Sequence, residues 1–299
     1  MIKSVILITI TAILLSGCHS SENQPGTLAS TMTDTTNQEN IGHYANVNGL
    51  KMYYEVHGTG TPLVLIHGGG STLQTTFGRV IPSFAKTHQV IAVEMQAHGH
   101  TADIDRPLSF TQDADDIAEL LRQLHITQAD IFGFSNGAST TLQLAIRHPE
   151  LVNKIIVAST FSKTSGAQPW FFEMMKNATF EQMPQPFKDE FLKINPDTNA
   201  LHQMYLRDVT RMQNFVDISD ELMKTIKAPA FIIISDQDVV TPEHAVEMHR
   251  MLPLSQLAIF PGGHGEYLGE LTMPYDTAVV AGTVAMVKRF LKVTEEKEE

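Results

Sequence analysis

The sequence predicts an α/β fold in which helices cover both faces of a mostly parallel central sheet. Short apolar runs such as 62–66 and 230–234 have the continuous hydrophobicity of parallel strands buried on both faces. Amphipathic stretches such as 111–124 alternate with these runs, as in folds built from strand–helix–strand units. A chain of 299 residues is long enough for one domain of this class with a tail, and a helical cap inserted in the domain is also predicted.

Residues 1–17 have the pattern of a bacterial export signal. Lys3 provides a positive start, an apolar run covers 5–15, and small residues precede Cys18, the only cysteine of the chain. The run is too short to span a bilayer comfortably, which disfavours a transmembrane helix. The segment resembles the signal peptide and lipobox of bacterial lipoproteins, which implies cleavage before Cys18 and lipidation of that residue. An ordinary secretory signal with an incidental cysteine is the alternative.

Lipidation at Cys18 would hold the protein on a membrane of the cell envelope. His19 stands where inner-membrane retention signals of Gram-negative lipoproteins usually carry aspartate, so this resemblance favours the outer membrane. Residues 18–43 contain the lipidated cysteine and a Ser/Thr/Asn/Gln-rich stretch that is predicted to be a flexible tether. The folded domain is predicted to span 44–293, and a charged tail follows at 294–299.

Composition excludes several classes of partner and cofactor. The formal net charge of −12 argues against a nucleic-acid partner, because phosphate binding requires a basic face. The sequence has no Walker loop, no dinucleotide motif and no zinc-type spacing, so no cofactor and no metal are predicted. His98 and His100 flank Gly99, but no carboxylate or cysteine completes a metal site at the usual spacing. Nothing in the sequence indicates the oligomeric state.

A histidine and three glycines follow the predicted strand at 62–66, which comes after an alternating strand at 51–56. Glycines 68–70 leave their backbone N–H groups uncovered and able to bind an oxyanion. His67 is either a catalytic base or a residue that holds this loop by hydrogen bonds. We favour the second role, because a histidine directly after a buried strand more often has it.

The pentapeptide at 133–137, of the form G-x-S-x-G, joins a predicted strand at 129–132 to a helical stretch at 138–146. A tight turn from strand into helix exposes its serine and directs the helix N-terminus toward the reacting centre. Its two glycines remove side chains that would block the turn, and they permit backbone angles that strain other residues. The same pentapeptide also occurs in turns that have no catalytic role, so the other motifs decide its meaning.

Between about 161 and 226 the hydrophobic pattern predicts helices in place of alternating strands and helices, and we interpret this segment as the helical cap. Apolar residues recur at helical spacing around Phe171 and around Phe187. These Met and Phe side chains either shape an apolar acyl pocket or only pack the cap onto the body. Trp170 is the first candidate for contact with a substrate.

Two more strands end in loops that carry acidic residues and a histidine. The strand at 230–234 is followed by Asp236 and Asp238, and the strand at 257–260 by Pro-Gly-Gly-His264. Carboxylates just past a parallel strand lie at the edge of the sheet where active sites of α/β proteins gather. A helix at 277–291 closes the domain.

The four motifs, in this order along the chain, resemble the α/β-hydrolase superfamily from Tyr44 to Leu291. The resemblance implies that Ser135 is the nucleophile, that His264 is the general base, and that Asp238 orients His264. Asp236 is the alternative acid, and the spacing usual in the family favours Asp238.

The family's oxyanion hole corresponds to the backbone N–H groups of Gly69 and Asn136. One segment departs from the family pattern: many relatives have Asp-x-Arg-Gly-x-Gly-x-Ser where this chain has 94–101, EMQAHGHT. This departure bears on the subfamily and leaves hydrolysis intact.

The resemblance implies a serine hydrolase that cleaves a small carboxylic ester through an acyl-enzyme intermediate. Serine in place of aspartate at the turn disfavours the chemistry of epoxide hydrolases and haloalkane dehalogenases. Two alternatives remain open. The same fold and triad could perform carbon–carbon bond hydrolysis or cofactor-free perhydrolysis, or the chain could be a non-catalytic surface binding protein.

Overall fold

The computed structural model describes residues 42–292, and eight strands in this range form one sheet. In chain order the strands are β1 (Gly42–Val47), β2 (Leu50–His57), β3 (Thr61–Ile66), β4 (His88–Glu94), β5 (Ala129–Phe134), β6 (Val152–Ala158), β7 (Ala230–Ser235) and β8 (Ser255–Phe260).

Ten α-helices accompany the strands in the described range. In chain order they are α1 (Leu73–Phe77), α2 (Ile81–Phe84), α3 (Phe110–Gln123), α4 (Asn136–Arg147), α5 (Phe171–Lys176), α6 (Gln185–Ile194), α7 (Thr198–Gln213), α8 (Asp220–Met223), α9 (Pro242–Met251) and α10 (Thr277–Lys292).

The strand order across the sheet is β1-β2-β4-β3-β5-β6-β7-β8. Strand β2 runs antiparallel to both of its neighbours, and the other pairs are parallel. The predicted fold class, a mostly parallel sheet flanked by helices, is confirmed. Because β3, β5, β7 and β8 point in the same direction, the loops that follow them open at one edge of the sheet.

Neighbouring residues of the parallel strands face two separate apolar cores. Ile131 of β5 belongs to a core shared with α3, α4 and α9, whereas Phe132 belongs to one shared with α1, α2 and α10. This alternation is why the strands read as continuous apolar runs, since both faces of each strand are covered. Full burial of such a side chain stabilises the fold by about 1.5–3 kcal/mol.

The helices α5 to α8 lie between β6 and β7, in the interval where the cap is predicted. Helices α6 and α7 share a small apolar core that includes Phe191 and Met204, separate from the two cores of the sheet. The cap therefore has some packing of its own in addition to its contacts with the body.

Some elements were not predicted. Strand β1 begins at Gly42, two residues before the predicted start of the domain, and pairs with β2. Helices α1 and α2 have 5 and 4 residues, too few for a helical period to be recognised. Cys18, the signal peptide and nearly all of the predicted tether, like the tail at 294–299, lie outside the described residues. Within 42–292, no helix is both long and apolar enough to cross a bilayer.

Candidate active site

Ser135 lies at the sharp turn between β5 and α4, with a backbone conformation that is rare for a residue with a side chain. Its φ is 54° and its ψ is −119°. Such a conformation costs on the order of 1–3 kcal/mol and persists only where the surroundings enforce it. Here the Ser135 N–H donates to the carbonyl of Ala158 on β6 at 2.8 Å, and the Ser135 carbonyl accepts from Ala138 N–H at 2.9 Å. The turn holds the hydroxyl at the edge of the sheet where the loops open.

The two glycines of the pentapeptide are required by close packing. A methyl group at Gly133 would lie 2.1 Å from the carbonyl oxygen of Gly137, and one at Gly137 would lie 2.1 Å from that of Ile66. Neither glycine has a positive φ. The prediction that they supply strained backbone angles was wrong, because the strained residue is Ser135 itself and the glycines let α4 approach β3 and β5.

Phe134, one residue before the serine, separates two of the loops. A methyl group on Gly68 would lie 3.1 Å from its ring, and one on Gly265 would lie 2.6 Å from it. The ring also packs on His264, with a distance of 4.8 Å between ring centroids. Phe134 therefore fixes the spacing between the glycine loop and the histidine loop on either side of Ser135.

His264 and Asp238 are joined by a hydrogen bond of 2.6 Å between Nδ1 and Oδ1. The Asp238 side chain is fully buried, and the His264 side chain is partly exposed. Burial raises the pKa of Asp238, but the adjacent His264 ring and several donors outweigh burial and hold this pKa below its ordinary value. The carboxylate is therefore ionised and fixes the orientation of the histidine ring.

Ser159 and Tyr267 support the carboxylate from the side opposite His264. Ser159 Oγ donates to Asp238 Oδ2 and lies 2.7 Å from the hydroxyl oxygen of Tyr267. Tyr267 is completely buried, and burial raises the pKa of its hydroxyl well above the ordinary value. The neutral phenol can therefore donate to Ser159. Sequence reasoning missed both residues, although Ser159 directly follows β6 and Tyr267 comes three residues after His264.

Asp236, the alternative acid, is exposed. Its Oδ1 accepts from Gly262 N–H at 2.9 Å, and the next residue, Gln237, donates to the Gly262 carbonyl at 3.1 Å. These bonds join the ends of β7 and β8. Asp236 thus shapes the loop that carries His264, whereas Asp238 contacts the ring.

The predicted oxyanion donors lie on the glycine loop and on the first residue of α4. Within residues 42–292, neither Gly69 N–H nor Asn136 N–H has a hydrogen-bond acceptor. The Asn136 side chain covers Gly69 so closely that a methyl group there would lie 2.3 Å from Nδ2. The two free amides are therefore brought to the same part of the site, and a side chain at Gly69 would displace the Asn136 side chain.

His67 holds the glycine loop. Its Nδ1 donates to the Gly68 carbonyl at 2.7 Å, and its Nε2 accepts from Met95 N–H at 3.1 Å. Burial and the neighbouring His98 lower the pKa of His67 to about 3. Because both ring nitrogens are engaged, this neutral histidine has no free position with which to take a proton from a substrate or from Ser135.

The histidines that flank Gly99 do not share a metal site. His98 Nε2 lies 2.8 Å from Asp208, and His100 Nδ1 lies 2.9 Å from Glu94. In the part of the chain that the structure describes, no group of three or more His, Cys, Asp or Glu side chains could hold a metal ion.

Several known proteins that resemble this chain are hydrolases. A family model of the alpha/beta hydrolase fold matches residues 61–189. The pimeloyl-(acyl-carrier protein) methyl ester esterase of Neisseria meningitidis serogroup C is 25% identical over 228 residues, which cover 68% of this chain and 86% of that protein. The 2-hydroxymuconate semialdehyde hydrolase of a Pseudomonas species is 34% identical over 132 residues, which cover 42% of this chain and 46% of that protein.

One solved structure resembles this chain over almost the whole fold. MGS-M2, an alpha/beta hydrolase enzyme from a deep-sea metagenome library, has a TM-score of 0.71 at 21% identity and covers 86% of this chain and 100% of its own. The chain has the α/β-hydrolase fold, and the hydrolases among the proteins that it resembles support hydrolase activity.

The candidate nucleophile and the candidate base are both without a hydrogen-bond partner at their reacting atoms in the described part of the chain. Within residues 42–292, neither Ser135 Oγ nor His264 Nε2 has a hydrogen-bond partner. Catalytic hydrogen bonds in unliganded enzymes are often long and tighten when the substrate binds. The free Nε2 distinguishes His264 from His67, whose two ring nitrogens are both occupied.

The cap covers the glycine loop with apolar side chains. A methyl group on Gly70 would lie 3.6 Å from Met183 and 3.9 Å from Phe187. Trp170, the first candidate for substrate contact, lies instead on the surface with 51% of its area exposed, where it packs edge-on against Phe171. Met183 and Phe187 therefore replace Trp170 as the apolar cap residues that lie next to the glycine loop.

Proposed function

We propose that this protein is a serine hydrolase that cleaves a small carboxylic ester through an acyl-enzyme intermediate. The observation that carries the proposal is the His264–Asp238 pair, with a free Nε2, at the same edge of the sheet as the strained turn of Ser135. A base with one ring nitrogen fixed and the other free is what a weak serine nucleophile requires.

In the proposed reaction, Ser135 Oγ attacks the ester carbonyl while His264 Nε2 takes its proton. Asp238 keeps the proton on Nδ1 and stabilises the imidazolium that forms. The carbonyl oxygen becomes negative and is bound by the N–H groups of Gly69 and Asn136. Collapse of the tetrahedral intermediate expels the alkoxide, which takes the proton from His264 and leaves an acyl group on Ser135. A water molecule then attacks the acyl group by the same steps, with His264 again as the base, and the carboxylic acid is released from Ser135.

The two amides are the largest electrostatic element of this mechanism. Loss of one oxyanion donor typically costs about 3 kcal/mol of transition-state stabilisation. Asn136 N–H belongs to the first residue of α4, so the positive end of the helix dipole adds to its effect. Within the described part of the chain both N–H groups are free to donate, as an oxyanion site requires.

The proposal is tested by labelling with a fluorophosphonate probe and by a panel of p-nitrophenyl esters of increasing acyl length. We expect a covalent adduct on the peptide that contains Ser135, identified by mass spectrometry, and turnover of the short esters. Heat-denatured protein is the control and is expected to remain unlabelled. A native protein that takes up no probe and cleaves no ester would contradict the proposal and favour a binding role.

Carbon–carbon bond hydrolysis is a second candidate, supported by the 34% identity to 2-hydroxymuconate semialdehyde hydrolase over 132 residues. The same serine, histidine and oxyanion donors can serve both reactions, so the fold does not choose between them. A dienol-ketone added to the ester panel distinguishes ester hydrolysis from carbon–carbon bond hydrolysis. Faster cleavage of the ketone than of any ester would select this second function.

We also propose that the protein is a lipoprotein of the cell envelope, anchored through Cys18, with the outer membrane as the favoured location. The support is the lipobox pattern that ends at the only cysteine. In a Gram-negative host fed with radiolabelled palmitate, we expect label on the wild type and none on Cys18→Ala, which should leave the membrane fraction. His19→Asp is the matched control, expected to keep the label and move to the inner membrane. Label retained by Cys18→Ala would refute the anchor.

A further inference from the structure

A buried cluster of four charged side chains joins cap helix α7 to the body of the protein. Asp208 and Arg211 lie one turn apart on α7, and both are almost fully buried. Arg211 donates to Asp208 Oδ1 and to Asp113 Oδ2 on α3, the second bond at 2.7 Å. His98 Nε2, in the loop after β4, lies 2.8 Å from Asp208 Oδ2. None of these four residues takes part in the proposed reaction.

Asp208 reaches from the cap into the glycine loop. Its Oδ2 accepts from Gly70 N–H at 2.6 Å, and a methyl group on Gly69 would lie 3.3 Å from the same oxygen. Gly70 has a φ of +66°, which glycine adopts without strain. The carboxylate therefore holds the residue that directly follows the proposed oxyanion donor Gly69.

Charge balance explains why a carboxylate can be close to a site that must bind a negative oxygen. Both nitrogens of His98 face acceptors, the Gln96 carbonyl at 2.9 Å and Asp208 at 2.8 Å, so both donate and the ring is a cation. Burial lowers the pKa of His98, but Asp208 outweighs burial and raises this pKa above its ordinary value. With His98 and Arg211 as its partners, Asp208 is neutralised on both oxygens.

We propose that Asp208 is a positioning residue, which fixes the glycine loop in the conformation that directs Gly69 N–H to the oxyanion. This inference rests on the proposed serine hydrolase function. Three successive glycines have no side chains to order them, and fixing their backbone has an entropic cost. A hydrogen bond to a charged group is stronger than one between neutral groups and offsets that cost at Gly70. The oxyanion site is then complete only while α7 is docked on the body.

The test compares Asp208→Asn with Asp103→Asn. The Asp208 carboxylate accepts from three donors, namely Arg211 at one oxygen and Gly70 and His98 at the other. Asparagine has a single side-chain oxygen, so its NH₂ group would face either Arg211 or the pair of Gly70 and His98. Asp103 also joins the body to α7, through Arg207 at 2.8 Å, but it does not touch the glycine loop. Asp103→Asn is thus a matched control for loss of a contact between cap and body.

We expect Asp208→Asn to lower kcat for a p-nitrophenyl ester about 10- to 100-fold, because one oxyanion donor is worth about 10²–10³ in kcat and is here only misplaced. KM should change less than about 3-fold, since a transition-state interaction is lost and ground-state binding is kept. Asp103→Asn should change kcat less than about 3-fold. Equal kcat values for the two variants would overturn the proposal, as would an effect on KM alone.

Hydrogen exchange of the Gly70 amide, followed by NMR, tests the same inference without turnover. We expect at least about a 10-fold faster exchange in Asp208→Asn than in the wild type or in Asp103→Asn. Unchanged exchange would overturn the role of Asp208. If the wild type cleaves no ester, the proposed function fails while this measurement still decides the positioning role. Should Asp208→Asn not fold, Asp208→Glu keeps the charge that pairs with His98 and Arg211 and moves the carboxylate relative to Gly70, and the same outcomes apply to it.

Discussion

Replacing Ser135 with alanine is expected to lower kcat for ester hydrolysis by at least about 10⁴-fold, because no acyl-enzyme can form. KM should stay within about 3-fold of the wild type, since the oxyanion donors and the cap are unchanged. The measurement is the initial rate of p-nitrophenyl acetate hydrolysis with purified protein. Alanine adopts the same strained φ of 54° no less readily than serine, so the variant should fold with unaltered stability.

Ser139→Ala is the matched control for this substitution. Ser139 lies one turn further along α4, where its Oγ is buried and 2.7 Å from Thr160 Oγ1. Its loss should reduce the free energy of unfolding by about 1 kcal/mol and leave kcat unchanged. A Ser135→Ala protein that hydrolysed the ester at the wild-type rate would show that another group performs the reaction, and the proposed function would be wrong.

The fold could be predicted because most of its strands are recognisable in the sequence as short apolar runs. Runs such as 62–66 and 230–234 are apolar at every position, since the sheet is covered on both faces, and each falls within a residue of the observed strand. Strand β1 was not predicted, because it lies at the edge of the sheet and has only one buried residue, Val47, among its six. It therefore lacks the apolar run that marks the central strands. The short helices α1 and α2 contain too few residues to show a period.

The candidate site could be predicted only where its residues occur in local motifs. Ser135, His264 and Asp238 each follow a strand within a few residues, so their spacing is visible in the sequence. Ser159 and Asp238 are separated by 79 residues, and Gly70 and Asp208 by 138. Contacts of this kind depend on how the cap and the strands pack, and no local pattern predicts them. The supporting residues were therefore missed while the proposed reacting residues were found.

Hydrogen-bond partners separate the three histidines near the site. His67 donates from one ring nitrogen and accepts at the other, and His98 donates from both. Neither has a free nitrogen. His264 has one nitrogen held by Asp238 and the other free within the described residues, so it is the one of the three that has a ring nitrogen available for proton transfer.

Asp238→Asn is expected to lower kcat by about 10³–10⁴-fold, the effect found when the acid of a Ser-His-Asp triad is converted to its amide. The Asp238 carboxylate accepts from four groups: His264 Nδ1, Ser159 Oγ and the backbone N–H groups of Ser235 and Val239. An amide has one oxygen, so its NH₂ group must face some of these donors. If it faces His264, the ring is held in the tautomer that carries its proton on Nε2 and cannot take one from Ser135.

Asp236→Asn is the matched control, since it makes the same chemical change two residues away. Asp236 is exposed, and among the residues that the structure describes it accepts only from Gly262 N–H, a bond that the oxygen of an amide can also accept. Its kcat should fall less than about 3-fold, because surface substitutions of this kind change stability by less than about 0.5 kcal/mol. Steady-state kinetics of both variants on one ester provides the comparison. A larger loss for Asp236→Asn than for Asp238→Asn would assign the orienting role to Asp236. Equal, small losses would mean that His264 acts without a carboxylate partner.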